Sequence, residues 1–256
     1  MTDRFVRVQT SVKTCYGLLE LNQSVQVLTQ APWQGGMPSG EIIAPEAYTL
    51  LPPCEPSKIV AIGRNYAEHA QEMGAEIPNE PVMFLKPPSA LLAPEATITI
   101  PPQSQRVDYE GELALIIGKT ATKVSLESAM QYIWGYTIAN DVTARDLQKQ
   151  DGQWTRSKGF DTFCPLGPWI VREISPSALL QTHLHRERTK KTLQSATIDS
   201  MIFSPEVLVT YTSQVMTLLP GDVILTGTPA GIGQMQAGDR VIVEIEGIGK
   251  LQNLVG

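Results

Sequence analysis

The stretch DYEGELALIIG, residues 108–118, decides how this chain folds. Its second half is an unbroken apolar run ending in glycine; its first half carries Glu110 and Glu112, two positions apart. Side chains on a strand alternate faces, so residues i and i+2 point the same way. Two carboxylates facing one way at the mouth of a buried strand repel unless a proton or cation lies between them. A second apolar strand, YIWGYTIAN (132–140), runs straight into a third carboxylate, Asp141. Oxygen-only ligands suit Mg²⁺ or Mn²⁺, which keep positions for water and substrate. The competing reading is an edge strand whose glutamates are simply solvated.

Further β-favouring runs flank this centre: KIVAIG, VMFLK, TITI, PWIV, DVILTG, DRVIVEIEG and KLQNLV, each bounded by turn residues. Helical composition is expected in NYAEHAQEM, closed by Gly74, and in LESAMQYI and SPEVLVTYTSQVMTLL. In the last, Val207, Tyr211, Val215 and Leu218 recur at spacings of three and four and predict the apolar face. Strands dominate without a regular βαβ alternation, which predicts an α+β, predominantly β fold with few helices and disfavours a doubly wound nucleotide fold. The first residues read as short strands (FVRVQTSV, TCYGLLEL, SVQVLTQ), and prolines follow at LLPPCEPSK. The expected organisation is a small N-terminal β domain over 1–55 and a larger domain over 56–256.

Composition narrows the classes of function. In a chain of 256 residues, a net charge of −6 with no basic block to offset it argues against a nucleic-acid surface. The start, MTDRFVRVQTSV, lacks a long apolar region, so a secretory signal is not expected, and no apolar run approaches a membrane span. Cys15, Cys54 and Cys164 are odd in number and far apart, as for reduced thiols in a cytoplasm.

Other motifs divide into discarded and retained. GKT (118–120) imitates a phosphate loop, but the position five before its glycine is Leu113. His183 and His185 alternate as zinc ligands can, yet they lie among Arg186, Arg188, Lys190 and Lys191 and read as surface residues. TGTPAGIG (226–233) lacks dinucleotide spacing; it is a tight turn or a loop whose N–H groups meet an anion. His69 stands three residues before Glu72, so on a helix the two share a face and form a base dyad in outline. GRNY supplies Arg64 just before that helix, TARDLQ brings Arg145 and Gln148 after Asp141, and WTRSKGF brings Lys158.

Together these residues resemble the fumarylacetoacetate hydrolase superfamily. The resemblance runs in order through IGRNYAEHAQEMG, PVMFLKPPSAL, DYEGELALIIGK, GYTIANDVTARDLQ, WTRSKGFDTFCPLGPW, MIFSPEVL and PGDVILTGTPAGIG. It is closest to the acylpyruvase and oxaloacetate decarboxylase-like branch, and the first 55 or so residues resemble the small β domain many bacterial members carry. The resemblance implies a mixed β-roll around a central site, a homodimer, and Mg²⁺ or Mn²⁺ held by Glu110, Glu112 and Asp141. It further implies a catalytic dyad of His69 and Glu72 on a lid, Lys158 and Gln148 facing the substrate, and Arg64, Arg145, Gly227 and Thr228 as substrate contacts. The implied chemistry is C–C cleavage of small 2-oxo acids with a beta carbonyl or carboxyl group through a metal-stabilised enolate. That covers acylpyruvate hydrolysis and oxaloacetate decarboxylation. The alternatives are a tautomerase or dienedioate isomerase on the same metal site, and a non-catalytic 2-oxo acid binding protein. Two departures from the family pattern stand out: Thr197 and Ile198 before MIF, and HLHRERTKK without an Asn-Gly turn.

Overall fold

A computed structural model describes residues 3–256. The N-terminal strands β1 (Phe5–Gln9), β2 (Thr14–Leu19), β3 (Val25–Leu28) and β4 (Pro38–Ile43) form an antiparallel meander, with β5 (Thr49–Leu50) paired to the end of β1 on the side away from β2. Alternation puts Val6 and Val8 on one face, where they pack with Leu19, Val25, Val27 and Ile43 as a core of their own.

Beyond the prolines come β6 (Ile59–Gly63), helix α1 (Ala67–Glu72), β7 (Val82–Lys86), and the two-residue strands β8 (Leu91–Leu92) and β9 (Thr97–Ile98). The quoted stretch supplies β10 (Val107–Tyr109) and β11 (Gly111–Ile117); β12 (Ile133–Asn140) and β13 (Thr143–Ala144) follow. Short helices α2 (Arg145–Asp151) and α3 (Thr155–Lys158) lead into β14 (Cys164–Val171). The remainder is β15 (Leu179–Arg186), β16 (Thr189–Thr197), α4 (Pro205–Val215), β17 (Val223–Leu225), β18 (Gly233–Gln234), β19 (Arg240–Ile245) and β20 (Gly249–Val255).

These strands make three sheets. The largest has twelve strands in the path β4-β3-β2-β1-β14-β12-β11-β17-β6-β7, with β5 and β8 beside it, so the N-terminal meander continues it through the pair Phe5↔Ile170. A five-stranded sheet, β16-β15-β19-β20-β9, packs beside it, and β13-β10-β18 form a small third sheet. Strand β11 lies at the centre and is buried at every residue. Leu113, Leu115 and Ile117 enter one core with Val243, Ile245 and Leu251, whereas Ala114 and Ile116 enter another with Ile59, Ala61 and Leu225. A strand buried on both faces has no polar alternation, which is why LALIIG reads as continuous. Each such large side chain contributes about 1.5–3 kcal/mol on burial.

The predominantly β expectation holds, with local differences. LESAMQYI forms a 3-10 run, Leu126–Tyr132, rather than an α-helix. Of its residues only Ala129 is buried, so no apolar stripe rewards α geometry. Helix α4 stops at Val215 because Leu218 leaves to bridge Ala121. Its buried face is Leu208, Val209, Thr212 and Ser213, not the stripe expected from Val207, Tyr211 and Val215; Ser213 Oγ accepts the Val124 N–H at 2.9 Å. The hairpin of β15 and β16 closes without Asn-Gly, through Glu187 at φ 55°. It carries His183 inward, so that residue is buried, with Nδ1 2.9 Å from Thr192 Oγ1, and is no surface residue. Burial, then Lys190, lowers its pKa. No helix among the described residues is long and apolar enough to cross a membrane.

Candidate active site

The chain changes sheets at Glu110. Tyr109 is the last residue of β10 in the small sheet, and Gly111 is the first of β11 in the large one. Glycine at 111 gives the switch its room: a Cβ there would lie 2.2 Å from Thr182 Oγ1 and 2.9 Å from Val243 Cγ1. The Gly111 N–H donates to Gln194 Oε1 at 3.0 Å, which clamps the strand to β16. Across the ladder Gly111 pairs with Asn140, whose Oδ1 accepts the Glu110 N–H at 2.8 Å. The Asp141 N–H in turn donates to the Glu110 carbonyl at 2.8 Å. Register thus delivers Asp141 to the two glutamates. Ligand oxygens of Glu110, Glu112 and Asp141 lie within 4.8 Å of one another, and all three residues are buried.

Cations surround this cluster unevenly. Lys158 Nζ donates to Glu110 Oε2 at 2.7 Å and Asp141 Oδ2 at 2.5 Å. Lys86 Nζ donates to Asp141 Oδ1 at 2.6 Å. Arg145 reaches Glu110 Oε1 through Nη2, Asp108 Oδ2 through Nε at 3.0 Å, and Gln148 Oε1 through Nη1 at 2.6 Å. Burial alone would raise the Glu110 carboxyl, but the Lys158 ammonium and then Arg145 outweigh it and hold it well below the usual range. Lys158 shows the reciprocal balance: burial opposes its charge, and Asp141 then Glu110 keep its pKa raised.

Glu112 is the exception. Its carboxylate accepts the Gly227 N–H at 2.8 Å and has no ion pair among the described residues. Burial, then the charges of Asp141 and Glu110, push its pKa well above the usual range. The donor set therefore fits a hard divalent cation: oxygen only, buried, and with one carboxylate lacking a counter-charge. Soft metals would call for thiolate or imidazole, and neither is in the cluster.

A cavity of about 240 Å³ opens over these carboxylates. Its walls include Arg64, His69, Gln148, Lys158 and Thr228, with Ile62, Met73, Phe84 and Trp154 as the apolar side. His69 is 5 % exposed, and its Nδ1 lies 3.0 Å from Glu72 Oε2, the dyad expected from the spacing. Arg64 has no hydrogen bond or ion pair among the described residues and sits at φ 59°, a backbone state costly for a side-chain-bearing residue. Trp154 meets Phe84 edge-on at 5.0 Å, and a Cβ on Gly63 would strike its ring at 2.8 Å.

The Gly-rich segment turns its amides on the protein's own carboxylates: Gly227 N–H on Glu112, and Gly231 N–H on Glu72 at 3.1 Å. Thr228 Oγ1 donates to the Gly111 carbonyl at 2.9 Å and accepts from Gln194 Nε2 at 2.7 Å. Gly227 holds φ 96°, and a Cβ there would lie 2.7 Å from Asn65 Cβ. Buried Asn65 donates to the Phe203 and Thr226 carbonyls at 2.9 and 2.7 Å, tying the entry to α1 to this loop.

Sequence reasoning missed Lys86, Asp108, Asn140, Gln194 and Asn65. Lys86 had a signal, since it ends the apolar run VMFLK as Glu112 begins another. Gln194 had none, being one polar residue in a polar hairpin.

The chain matches the family model described as fumarylacetoacetate (FAA) hydrolase, C-terminal, over residues 58–256, and a model described as Rv2993c-like, N-terminal, over residues 3–53. The mitochondrial oxaloacetate tautomerase FAHD2A of Bos taurus is 41% identical over 82% of this chain and 70% of its own length. The crystal structure of 5-carboxymethyl-2-hydroxymuconate delta-isomerase from Mycobacterium smegmatis superposes with a TM-score of 0.91 at 40% identity, covering 98% of each chain. Fumarylpyruvate hydrolase from Pseudomonas aeruginosa, solved with Mn²⁺ and pyruvate, gives a TM-score of 0.73 at 33% identity over 81% of this chain and 91% of that one. The buried acidic cluster at the Glu110 switch and the likeness along the whole catalytic region place this chain in the fumarylacetoacetate hydrolase family of enzymes.

Proposed function

We propose that this enzyme enolises small 2-oxo acids bearing a beta carbonyl or carboxyl group, interconverting their keto and enol forms, with Mg²⁺ or Mn²⁺ held by Glu110, Glu112 and Asp141. His69 carries this reading. Its Nδ1 is committed to Glu72, its ring lines the cavity, and its Nε2 has no protein partner among the described residues. A histidine oriented in this way is a base for the proton at C3 of a 2-oxo acid, and returns it to oxygen or carbon. When bound, the divalent cation supplies Lewis-acid stabilisation of the negative oxygens.

The remaining groups bind and orient. Lys158 adds a buried positive charge beside Glu110 and Asp141, which favours an anionic substrate. Arg145 holds the Gln148 carbonyl oxygen, leaving the Gln148 amide to donate into the cavity. Arg64 is a further substrate contact at the wall, Thr228 is another wall residue, and Gly227 acts on the site through its N–H to Glu112. The 41% identity to an oxaloacetate tautomerase and 40% to a muconate isomerase support proton transfer as the core reaction.

C–C cleavage is the second reading, favoured by the same dyad. Glu72 holds His69 as a water-activating base is held, and a fumarylpyruvate hydrolase shares the fold at 33% identity. In that case His69 activates water against the 4-carbonyl of an acylpyruvate, giving pyruvate and a carboxylic acid; oxaloacetate loses CO₂ instead. Enol absorbance, followed with metal-stripped protein and again with Mg²⁺, separates the two. The substrates are oxaloacetate freshly dissolved as its enol, before keto–enol equilibrium is reached, and equilibrated acetylpyruvate, whose enol band only cleavage can deplete. Metal-dependent loss of the oxaloacetate enol band without acetate or CO₂ is the expected result. Stoichiometric acetate or CO₂ assigns cleavage, and no metal-dependent change removes both readings.

A further inference from the structure

Helix α1 is six residues long, below the length at which a helix is stable alone in water, and it buries only His69 and Ala70. Its entry is fixed by buried Asn65, bonded to the Phe203 and Thr226 carbonyls. Its far end is held differently. From residues 67–79, the hydrogen bonds to more distant parts of the described chain are those from the Gly231 N–H to Glu72, 3.1 Å to Oε1 and 3.3 Å to Oε2. The same carboxylate orients His69 at 3.0 Å.

Gly231 is itself held on its other side. Its carbonyl accepts the Tyr109 hydroxyl at 2.9 Å. Its φ is 102°, and a Cβ there would lie 1.9 Å from the Leu193 carbonyl oxygen, so only glycine fits against β16. Tyr109 is 2% exposed, precedes Glu110 directly, and pairs with Gly233 across β10 and β18. A line of contacts thus joins the strand of the metal carboxylates to the base: Tyr109, Gly231, Glu72, His69.

We propose that the Gly231 backbone is the latch that holds the free end of α1 over the cavity, and that Tyr109 is the positioning residue that sets it. The kinetic part rests on the role given to His69 above; the latch itself does not. Tyr109→Phe removes the hydroxyl and keeps the ring. In the full-length, metal-loaded protein, hydrogen exchange of residues 67–74 is expected to quicken about fivefold or more, with exchange elsewhere unchanged. Glu72→Asp shortens the carboxylate by one methylene and quickens the same segment. Acting through one latch, the double variant opens α1 no further than the stronger single variant. In turnover, Tyr109→Phe lowers kcat about tenfold while KM moves less than about twofold.

Unchanged exchange at 67–74 in Tyr109→Phe overturns the latch, as do additive effects in the double variant. Exchange rising throughout the chain assigns Tyr109 a general structural role and overturns it too. Should the wild-type protein turn over no 2-oxo acid, the functional reading fails while the exchange experiment still decides the latch.

Discussion

The Gly227 amide reaches Glu112 Oε2 at 2.8 Å and is the one protein donor to that carboxylate among the described residues. Every oxygen of the Glu110 and Asp141 carboxylates, by contrast, faces a lysine or arginine. The negative charge of the site is therefore least compensated at Glu112.

A pH dependence follows with a definite sign. Glu112 has a raised pKa when folded, so the metal-free native state holds a proton that the unfolded chain has released. Stability of the metal-free protein should fall as pH rises from the ordinary glutamate range towards the folded value. Glu110 is depressed, so its contribution is already complete above that range and is lost only as pH falls. Thermal midpoints against pH, with and without Mg²⁺, should show the decline only without metal. Glu112→Gln keeps an acceptor for Gly227 and should flatten the decline while weakening Mg²⁺ binding about 100-fold or more; a decline of wild-type steepness in that variant would place its origin elsewhere.

Lys158 bridges Glu110 and Asp141 from a position only 2% exposed. Removing one partner of such a buried pair leaves charge uncompensated, at a cost of about 3–5 kcal/mol. Lys158→Met should lose that much stability in denaturant unfolding without metal, and recover part of it with saturating Mg²⁺. A variant as stable as the wild type would show that Lys86 and Arg145 alone balance the carboxylates.

His69→Gln should leave Mg²⁺ affinity within about twofold, because His69 belongs to the dyad and not to the carboxylate cluster. Deuterium exchange at C3 of a bound 2-oxo acid, followed by NMR, should slow by about 10²–10⁴. Retained exchange would transfer the base role to another group.

What could be read in the sequence was whatever interrupts an apolar run. Glu110, Glu112 and Asp141 were visible because carboxylates at the ends of core strands need a reason, and β11 proved buried at every position. The His69–Glu72 pair was visible because i and i+3 share a helical face. What escaped was settled by distant partners. The face of α4 was misassigned because Thr212 and Ser213 are polar yet buried against the Val124 segment. His183 looked solvated among lysines, but β15 turns it against Thr192 and Glu244. Gln194 stands 83 residues from the Gly111 amide it binds, and no local pattern encodes that contact.

Gly111 gives the sharpest test of how the site is built. A Cβ there meets Thr182 Oγ1 at 2.2 Å, and that hydroxyl is buried without a hydrogen-bond partner. Overpacking of this kind costs about 1–3 kcal/mol. Gly111→Ala should therefore destabilise the protein and, by moving Glu110 relative to Glu112, weaken metal binding. Thr182→Ala alone removes an unpaired buried hydroxyl, so any lost packing is offset and stability should change by less than about 1 kcal/mol. Combining them relieves the closest clash but leaves Val243 Cγ1 at 2.9 Å and Gln194 Oε1 at 3.3 Å, so rescue should be partial. A coupling energy of about 0.5 kcal/mol or more in that cycle, read by denaturant unfolding and by Mg²⁺ titration together, is the expected outcome. Strict additivity would mean that the switch between sheets at Glu110 is held by the backbone pairing to Asn140 and not by close approach to β15.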